Sequence, residues 1–424
     1  MSNPEAIPDQ VTPASAATPE RTFLSGTFAA FTSRNFRLYW FGQFVSFIGT
    51  WMQNAAKGWL VLAVTNSAFF VGLDSALSWL PAWIVSLPAG VLADRFNKRN
   101  LMLLTQSALA LLALILALLT WTRVVTIYHI LIISGLTGFV VAVNSPVAQS
   151  LIPELVGRKD VLNAIALNSS LFNAGRIIGP ALAGVLLTFT SPGTCFGINA
   201  ASFLAIIVAL LFIRLEPVKS AQSEESLGQR LGSGLRFVKG HPDIRLLLIM
   251  IGIFSSLGIV YIPMMPVFAQ DVFVVGSRGY GLLMSALGAG AVTGGLVLAT
   301  ISKTAPKGRL LLAGTLLLAL LLIIFSFVRN FPAAVVLLVL IGLCQTSIAS
   351  LTNTLVQTLT PDYIRGRVMS VYMLCFNGMF PIGALIAGTI AQRFGAPATT
   401  LMGGSGVLIT LLTVSLLRPQ LGRL

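Results

Sequence analysis

Long apolar runs, each about the length needed to cross a bilayer, follow one another along almost the whole of this 424-residue sequence. The hydrocarbon core of a bilayer is about 30 Å thick, so a helix that crosses it needs roughly 20 mostly apolar residues. Only 9% of the residues are charged, whereas a soluble domain carries about 25%. The sequence therefore predicts an all-α protein whose solvent is the lipid bilayer.

Charged breaks and breaks rich in Pro and Gly divide the apolar residues into twelve segments, which predicts twelve membrane-spanning helices. The predicted spans are 38–64, 69–93, 100–122, 126–150, 163–190, 194–213, 245–268, 279–301, 309–328, 332–357, 367–391 and 396–417. Most Lys and Arg residues fall in alternate loops, and the other loops hold only Arg123, Arg278, Arg329 and Arg393. Because cytoplasmic loops carry the excess of positive charge, we expect both termini to be cytoplasmic.

The chain has a formal net charge of +14, but its basic residues punctuate short loops and form no continuous patch. We therefore expect no nucleic-acid partner. The histidines, His129 and His241, and the three cysteines show no metal-ligand spacing. The sequence also contains no Gly-x-x-x-x-Gly-Lys-Ser/Thr loop that would hold a nucleotide phosphate. The sequence thus predicts no metal, no cofactor and no enzymatic activity.

One long polar segment, 214–243, separates the first six predicted spans from the last six. A weak internal repeat supports this division, since FNAGRIIGPALAG (Phe172–Gly184) aligns with FNGMFPIGALIAG (Phe376–Gly388). We expect, in chain order, a disordered cytoplasmic tail, an N-terminal six-helix half, a cytoplasmic linker, a C-terminal six-helix half and a short cytoplasmic tail. Their predicted bounds are 1–33, 34–213, 214–243, 244–418 and 419–424.

The turn between the second and third predicted spans reads GVLADRFNKR. This segment resembles the loop signature of the major facilitator superfamily. The residues that carry the resemblance are Gly90, Asp94, Arg95, Lys98 and Arg99. A glycine permits close helix contact, and the basic residues would anchor the loop at the anionic cytoplasmic surface. The resemblance implies the major facilitator fold, in which twelve helices form two six-helix halves.

In the fifth predicted span, Gly175, Gly179, Pro180 and Gly184 resemble the signature of the antiporter branch of that superfamily. The opening stretch RNFRLYWFGQFVSFIGTWMQNAAKGWLVLAVTNSAFFVG is similar to the start of the exporter subgroup that includes enterobactin exporters and macrolide efflux proteins. Both resemblances imply export. Many drug–proton antiporters carry an arginine in the fourth span, and residues 131–149 contain none, which argues against proton coupling by that route.

Ionisable groups inside a membrane are costly, so each one is a functional candidate. Lys57 and Asp74 lie at nearly equal depths in the first two predicted spans, given a rise of 1.5 Å per residue. We expect them to approach each other, either as a proton-coupling carboxylate with its gating cation or as a structural ion pair.

On the first span, a polar stripe predicts a water-filled path or helix-to-helix hydrogen bonding. Its members are Gln43, Ser46, Thr50, Gln53, Asn54 and Lys57.

In the fifth span, Asn173 and Arg176 share one face. A central Arg176 without an evident carboxylate would attract an anionic substrate, such as a catecholate or carboxylate, or would bond to neighbouring carbonyl groups. In the second half, Tyr261, Phe376 and Asn377 offer aromatic and polar surface, which indicates either a substrate path or ordinary helix packing.

We therefore expect a monomeric secondary active transporter in the cytoplasmic (inner) membrane of a bacterium. It would export a small molecule, such as a siderophore, a drug or a related metabolite, by alternating access in exchange for protons. One alternative is a flippase for lysophospholipid or another lipid, since lysophospholipid transporters look similar. Another alternative is a membrane scaffold or sensor that transports nothing.

Overall fold

The computed structural model describes residues 28–157, 159–214, 227–301 and 305–423, and only the backbone at 83–84, 86–95, 227–231 and 423. All regular elements in these ranges are helical. The first half contains α1 (Arg34–Thr65), α2 (Ala68–Arg95), α3 (Lys98–Trp121), α4 (Ile127–Val156), α5 (Val161–Phe189) and α6 (Pro192–Phe212). After α7 (Leu227–Gly240), the second half contains α8 (Pro242–Ile253), α9 (Gly276–Ile301), α10 (Lys307–Phe327), α11 (Phe331–Leu359), α12 (Asp362–Phe394) and α13 (Ala396–Leu417).

Twelve membrane spans can be traced through these helices. Within the described residues, nine helices are long and apolar enough to cross a membrane by themselves. The other three spans are α1, which carries the polar stripe, α2, whose stretch Ala68–Ala82 is apolar but short, and the interrupted segment that begins with α8. The predicted all-α fold with twelve spans is confirmed.

The seventh span is interrupted, whereas the sequence predicted one run over 245–268. After α8 the backbone forms a π-helical turn at Phe254–Gly258, a short α-turn at Met265–Val267 and a second π-helical turn at Phe268–Val272. Proline lacks the N–H that an interior helical position donates, and its ring clashes with the preceding turn. Pro263 and Pro266 therefore break the helix here instead of only bending it.

The two halves repeat one pattern of helix packing. In the first half, α2 packs on α4, and α3 packs on both α4 and α6. In the second half, α9 packs on α11, and α10 packs on both α11 and α13. The halves meet along two seams, formed by α2 with α12 and by α5 with α9. Equivalent helices thus make equivalent contacts, as the internal repeat in the sequence predicts.

The segment before α1 differs from the predicted disordered tail. Ala29–Thr32 forms a turn of 3-10 helix in which Ala30 is buried and donates its N–H to the Asn163 side chain at 2.9 Å. Ser33 then caps α1 by accepting from the N–H of Phe36. Aromatic packing and the serine cap order these residues, so the prediction of disorder does not hold for them. The rest of that tail, 1–27, lies outside the described residues, as does 215–226 of the predicted linker.

Candidate functional site

The loop signature is only partly described. At Gly90, Asp94 and Arg95 only the backbone is described. Lys98 forms an ion pair with Glu154 at 2.5 Å, and Arg99 donates to backbone carbonyls at the end of α6, at 2.6 and 2.8 Å. The predicted lipid anchors thus tie α3 to the ends of α4 and α6, where cations also complement the helix dipole.

The antiporter-like signature lies where α5 makes its closest contacts. A Cβ atom at Gly175 or Gly179 would fall 2.8 or 2.6 Å from Trp51 on α1. At Gly184, a Cβ would fall 2.7 Å from the Cα of Gly281, on the other half. Pro180 is buried beside them. These residues therefore let α5 press against α1 on one side and against α9 on the other.

The polar stripe of α1 divides into two groups. Gln43 and Gln53 are buried, and the Gln53 side chain accepts from Asn199 on α6 at 2.8 Å. Thr50 is half-buried and Asn54 is exposed. Gln53 therefore bonds to a neighbouring helix, as the second interpretation expects, whereas the buried Gln43 Oε1 atom has no partner among the described residues. Thr50 and Asn54 remain accessible. Asn199 was missed because its apolar surroundings on α6 gave no polar pattern.

Lys57 and Asp74 meet as predicted. The Lys57 Nζ atom lies 3.2 Å from a carboxylate oxygen of Asp74, and both side chains are buried. The sequence did not indicate the two serines that complete this cluster. Lys57 donates to Ser78 at 2.9 Å and to Ser134 of α4 at 2.6 Å, and Ser134 in turn donates to Asp74. Three helices thus converge on one buried carboxylate.

Arg176 lies near the middle of α5, on the side that faces the second half. Its guanidinium carbon lies 5.8 Å from the ring centroid of Trp51. Among the described residues, the guanidinium has no hydrogen-bond or ion-pair partner. Asn173, one turn earlier, is half-buried and donates to the carbonyl of Ser169 at 2.9 Å.

The predicted residues of the second half form a polar and aromatic cluster. Tyr261 is buried and donates its hydroxyl to Gln345 at 3.0 Å. Phe376 stacks between Phe254 and Tyr372, with centroid distances of 6.5 and 6.2 Å. Asn377, the next residue, is half-buried. Tyr261 thus bonds within the second half, while Phe376 belongs mainly to the packing of α12.

Among the described residues, the contacts that join the halves extend from one face of the bundle to its middle. We call this face the far face; it carries the turns that contain Asn66, Arg123, Ser191, Val274, Arg329 and Gly395. The opposite face, which carries α7, is the linker face. Contacts join Ser67 to Gln392 at the far face, Gly72 to Gly388 deeper in, and Trp79 to Phe380 near the middle.

The second seam has the same extent. Gly184 meets Gly281 toward the far face, and the carbonyl of Arg176 meets Gly288 near the middle of both helices. We call the two sets of contacts together the far-face seam. They close the half of the interdomain space that lies toward the far face, and Arg176 stands at their inner limit.

Twelve spans in two related halves, with polar groups between them, define a membrane transporter of the major facilitator fold. Solved transporters share this fold at low sequence identity. The nucleoside transporter NupG superposes with a TM-score of 0.73 at 12% identity, over 90% of this chain and 98% of that chain. A bacterial homologue of the human lysosomal transporter Spinster, inward-facing and unoccupied, gives 0.70 at 13% identity, over 92% and 96%.

The sequence places the chain within one family of this fold. A family model described as "transmembrane secretion effector" matches residues 25–421, and the chain belongs to that family. It is 27% identical to the staphyloferrin A transporter of Staphylococcus aureus, over 88% of this chain and 94% of the relative. The multidrug efflux pump Tap of Mycolicibacterium fortuitum is 27% identical, over 83% and 88%. The enterobactin exporter EntS of Citrobacter koseri is 26% identical, over 92% of each.

These similarities confirm the predicted class. The chain is a multi-pass membrane protein of the major facilitator superfamily, a secondary transporter that exports small molecules.

Proposed function

We propose that this protein resides in the inner membrane of a bacterium, with both termini in the cytoplasm, and exports its substrate by alternating access. The observation that carries the proposal is the far-face seam: among the described residues, the contacts between the halves that close the interdomain space lie toward the far face. The excess of positive charge in the loops on the linker face supports a cytoplasmic position for that face. The conformation is then inward-facing, and it receives its substrate from the cytoplasm.

The substrate class follows the relatives. The names of similar proteins include a staphyloferrin A transporter, a multidrug efflux pump and an enterobactin exporter. We infer a siderophore, a drug or a related metabolite, moved without chemical change. One chain supplies both halves and both seams, which supports a monomer as the working unit.

The Lys57–Asp74 cluster is the proposed site of proton coupling. A buried carboxylate is stable as an anion only while it is paired, and Asp74 has Lys57 and Ser134 as partners. Protonation of Asp74 would release Lys57 from its ion pair. Asp74 lies two residues from Gly72, which packs on Gly388 across the seam. A change in the charge of Asp74 is thus placed to alter the contact between α2 and α12.

Inverted membrane vesicles test direction and coupling together. The vesicle lumen is made acidic, and uptake of iron-free staphyloferrin A, iron-free enterobactin and a fluorescent drug is followed with time. We expect uptake of at least one compound that collapses when a protonophore removes the gradient. Asp74→Asn should reduce this uptake to that of vesicles without the protein, while the matched control Asp271→Asn, an exposed residue near the far face, should retain it.

Two outcomes would contradict the proposal. Movement of a labelled lysophospholipid, with no uptake of any soluble compound, would indicate a lipid flippase. Uptake of none of these probes by folded protein, with or without the gradient, would favour a scaffold or sensor. Gradient-driven uptake that survives Asp74→Asn would leave export in place and remove Asp74 from the coupling.

A further inference from the structure

An unpaired cation lies where the interdomain space ends. The Arg176 side chain is half-buried at the inner limit of the far-face seam, and within the described residues no carboxylate or carbonyl oxygen bonds to it. A charged side chain near the centre of a bilayer is costly unless it meets water or a counter-charge. A lock to backbone carbonyls, the structural alternative, is therefore not what holds this guanidinium in place.

The repeat-related position shows that packing does not require a cation here. In the alignment of the two halves, Arg176 corresponds to Phe380, whose ring packs edge-on against Trp79 at 5.8 Å. Two glycines of α5, in contrast, are kept, since Gly179 corresponds to Gly383 and Gly184 to Gly388. Gly184 and Gly388 both sit at close contacts across a seam. One of the two equivalent positions thus carries an apolar ring, Phe380. Helix packing at the other position therefore does not require the charge of Arg176.

One aromatic ring of the first half lies next to the guanidinium, and a second ring packs against the first. Trp51 presents its face to Arg176, and Phe172 packs edge-on against Trp51 with a centroid distance of 5.4 Å. Phe172 is 43% exposed and lies one helical turn from Arg176 on the same side of α5, toward the linker face. A ligand that pairs with the guanidinium would therefore lay its adjoining atoms along an aromatic wall.

Several polar side-chain atoms close in sequence to these rings have no hydrogen-bond partner among the described residues. Thr50 is the neighbour of Trp51, and Asn54 lies one turn further along α1. Neither side chain has a hydrogen-bond partner among the described residues. The Asn173 side-chain oxygen is also free of a described donor. Hydroxyl and amide groups at these positions can bond to phenolic or carboxylate oxygens of a ligand.

We propose that Arg176, with Trp51 and Phe172, forms the subsite that binds the anionic group of the exported molecule, and that this group is a carboxylate borne on an aromatic ring. A guanidinium binds a carboxylate through two parallel hydrogen bonds and also stacks on aromatic faces. The inference rests on the proposed inward-facing exporter, since only that state opens Arg176 to the cytoplasm.

Binding of a matched pair of small probes to the purified full-length chain tests the subsite without transport or a gradient. The probes are 2-naphthoate and 2-naphthamide, which share a ring system and differ in charge. Isothermal titration in detergent should show that the wild-type protein binds 2-naphthoate at least about tenfold more tightly, since a hydrogen bond to a charged group contributes this much. Arg176→Gln should remove the preference, and Arg176→Lys should keep part of it.

The control is Arg329→Gln, which removes a cation whose hydrogen bonds, among the described residues, go to carbonyls at the far face. It should leave the preference for 2-naphthoate unchanged. Equal binding of the two probes by the wild type, a preference that survives Arg176→Gln, or no saturable binding of 2-naphthoate would each overturn the subsite. Because no gradient is used, failure of proton-driven export would leave these results unaffected, so the two proposals fail separately.

Discussion

Single residues were predictable where depth along a helix decides the contact. Lys57 and Asp74 were expected to meet because two antiparallel helices with a fixed rise bring residues of equal depth together, and their side chains lie 3.2 Å apart. Ser134 was not found, because its part in the cluster depends on how α4 is rotated against α2. That rotation follows from the packing of whole helix faces, which residue spacing alone does not contain.

The Lys57–Asp74 pair should matter for stability as well as for coupling. Asp74→Asn leaves a buried ammonium without its counter-charge, and breaking one partner of a buried ion pair costs about 3–5 kcal/mol. The thermal midpoint of the purified protein, followed by circular dichroism, should fall clearly. The double variant Lys57→Met with Asp74→Asn should recover most of the loss, because no buried charge remains.

The matched control for this loss is Asp362→Asn. Asp362 pairs with Arg365, but its side chain is 88% exposed, and exposed pairs contribute about 0–1 kcal/mol. Its thermal midpoint should stay near that of the wild type. Equal losses for Asp74→Asn and Asp362→Asn would show that the buried pair contributes no special stability.

At the scale of helices, the sequence indicated most spans but not how they bend or which faces meet. The glycines of α5 were noticed as a signature, yet their partners, Trp51 and Gly281, became evident only from the packing. The seventh span shows the other limit. Its apolar run predicted a continuous helix, whereas Pro263 and Pro266 interrupt it, since backbone chemistry outweighs hydropathy at those positions.

The crossing of α1 and α5 should depend on the missing side chain at Gly179. A Cβ there would lie 2.6 Å from the Cβ of Trp51 and 2.7 Å from the backbone N of Met52, and a backbone atom cannot move aside without shifting α1. Gly179→Ala should therefore lower the thermal midpoint and the yield of monodisperse protein. Gly295→Ala on α9, where no atom lies within 4 Å of the added Cβ, should be neutral or mildly stabilising because alanine favours the helix. Similar losses in both variants would contradict this account.

At the scale of the whole molecule, the internal repeat explains the two seams. Gly184 and Gly388 occupy equivalent places in the aligned segments, and each meets a glycine of the opposite half, Gly281 or Gly72. The sequence predicted the repeat and the two halves, but not that the repeated glycines form the surface where the halves close. A glycine motif indicates that its helix packs closely against another helix. Which helix that is depends on the arrangement of all twelve spans.

The far-face seam should be the part of the molecule that must open during each transport cycle. Ser67 donates to Gln392 across the halves at 2.7 Å, at exposed positions near the far face. Ser67→Cys with Gln392→Cys, in a background without Cys195, Cys344 and Cys375, can be bridged by a short bifunctional methanethiosulfonate. Bridging should abolish gradient-driven uptake into inverted vesicles, and a reducing agent should restore it.

The two single variants, treated alike, should transport normally. The bridged protein should still bind 2-naphthoate, because Arg176 should stay accessible from the linker face. Uptake that continues after complete bridging would mean that the seam need not open.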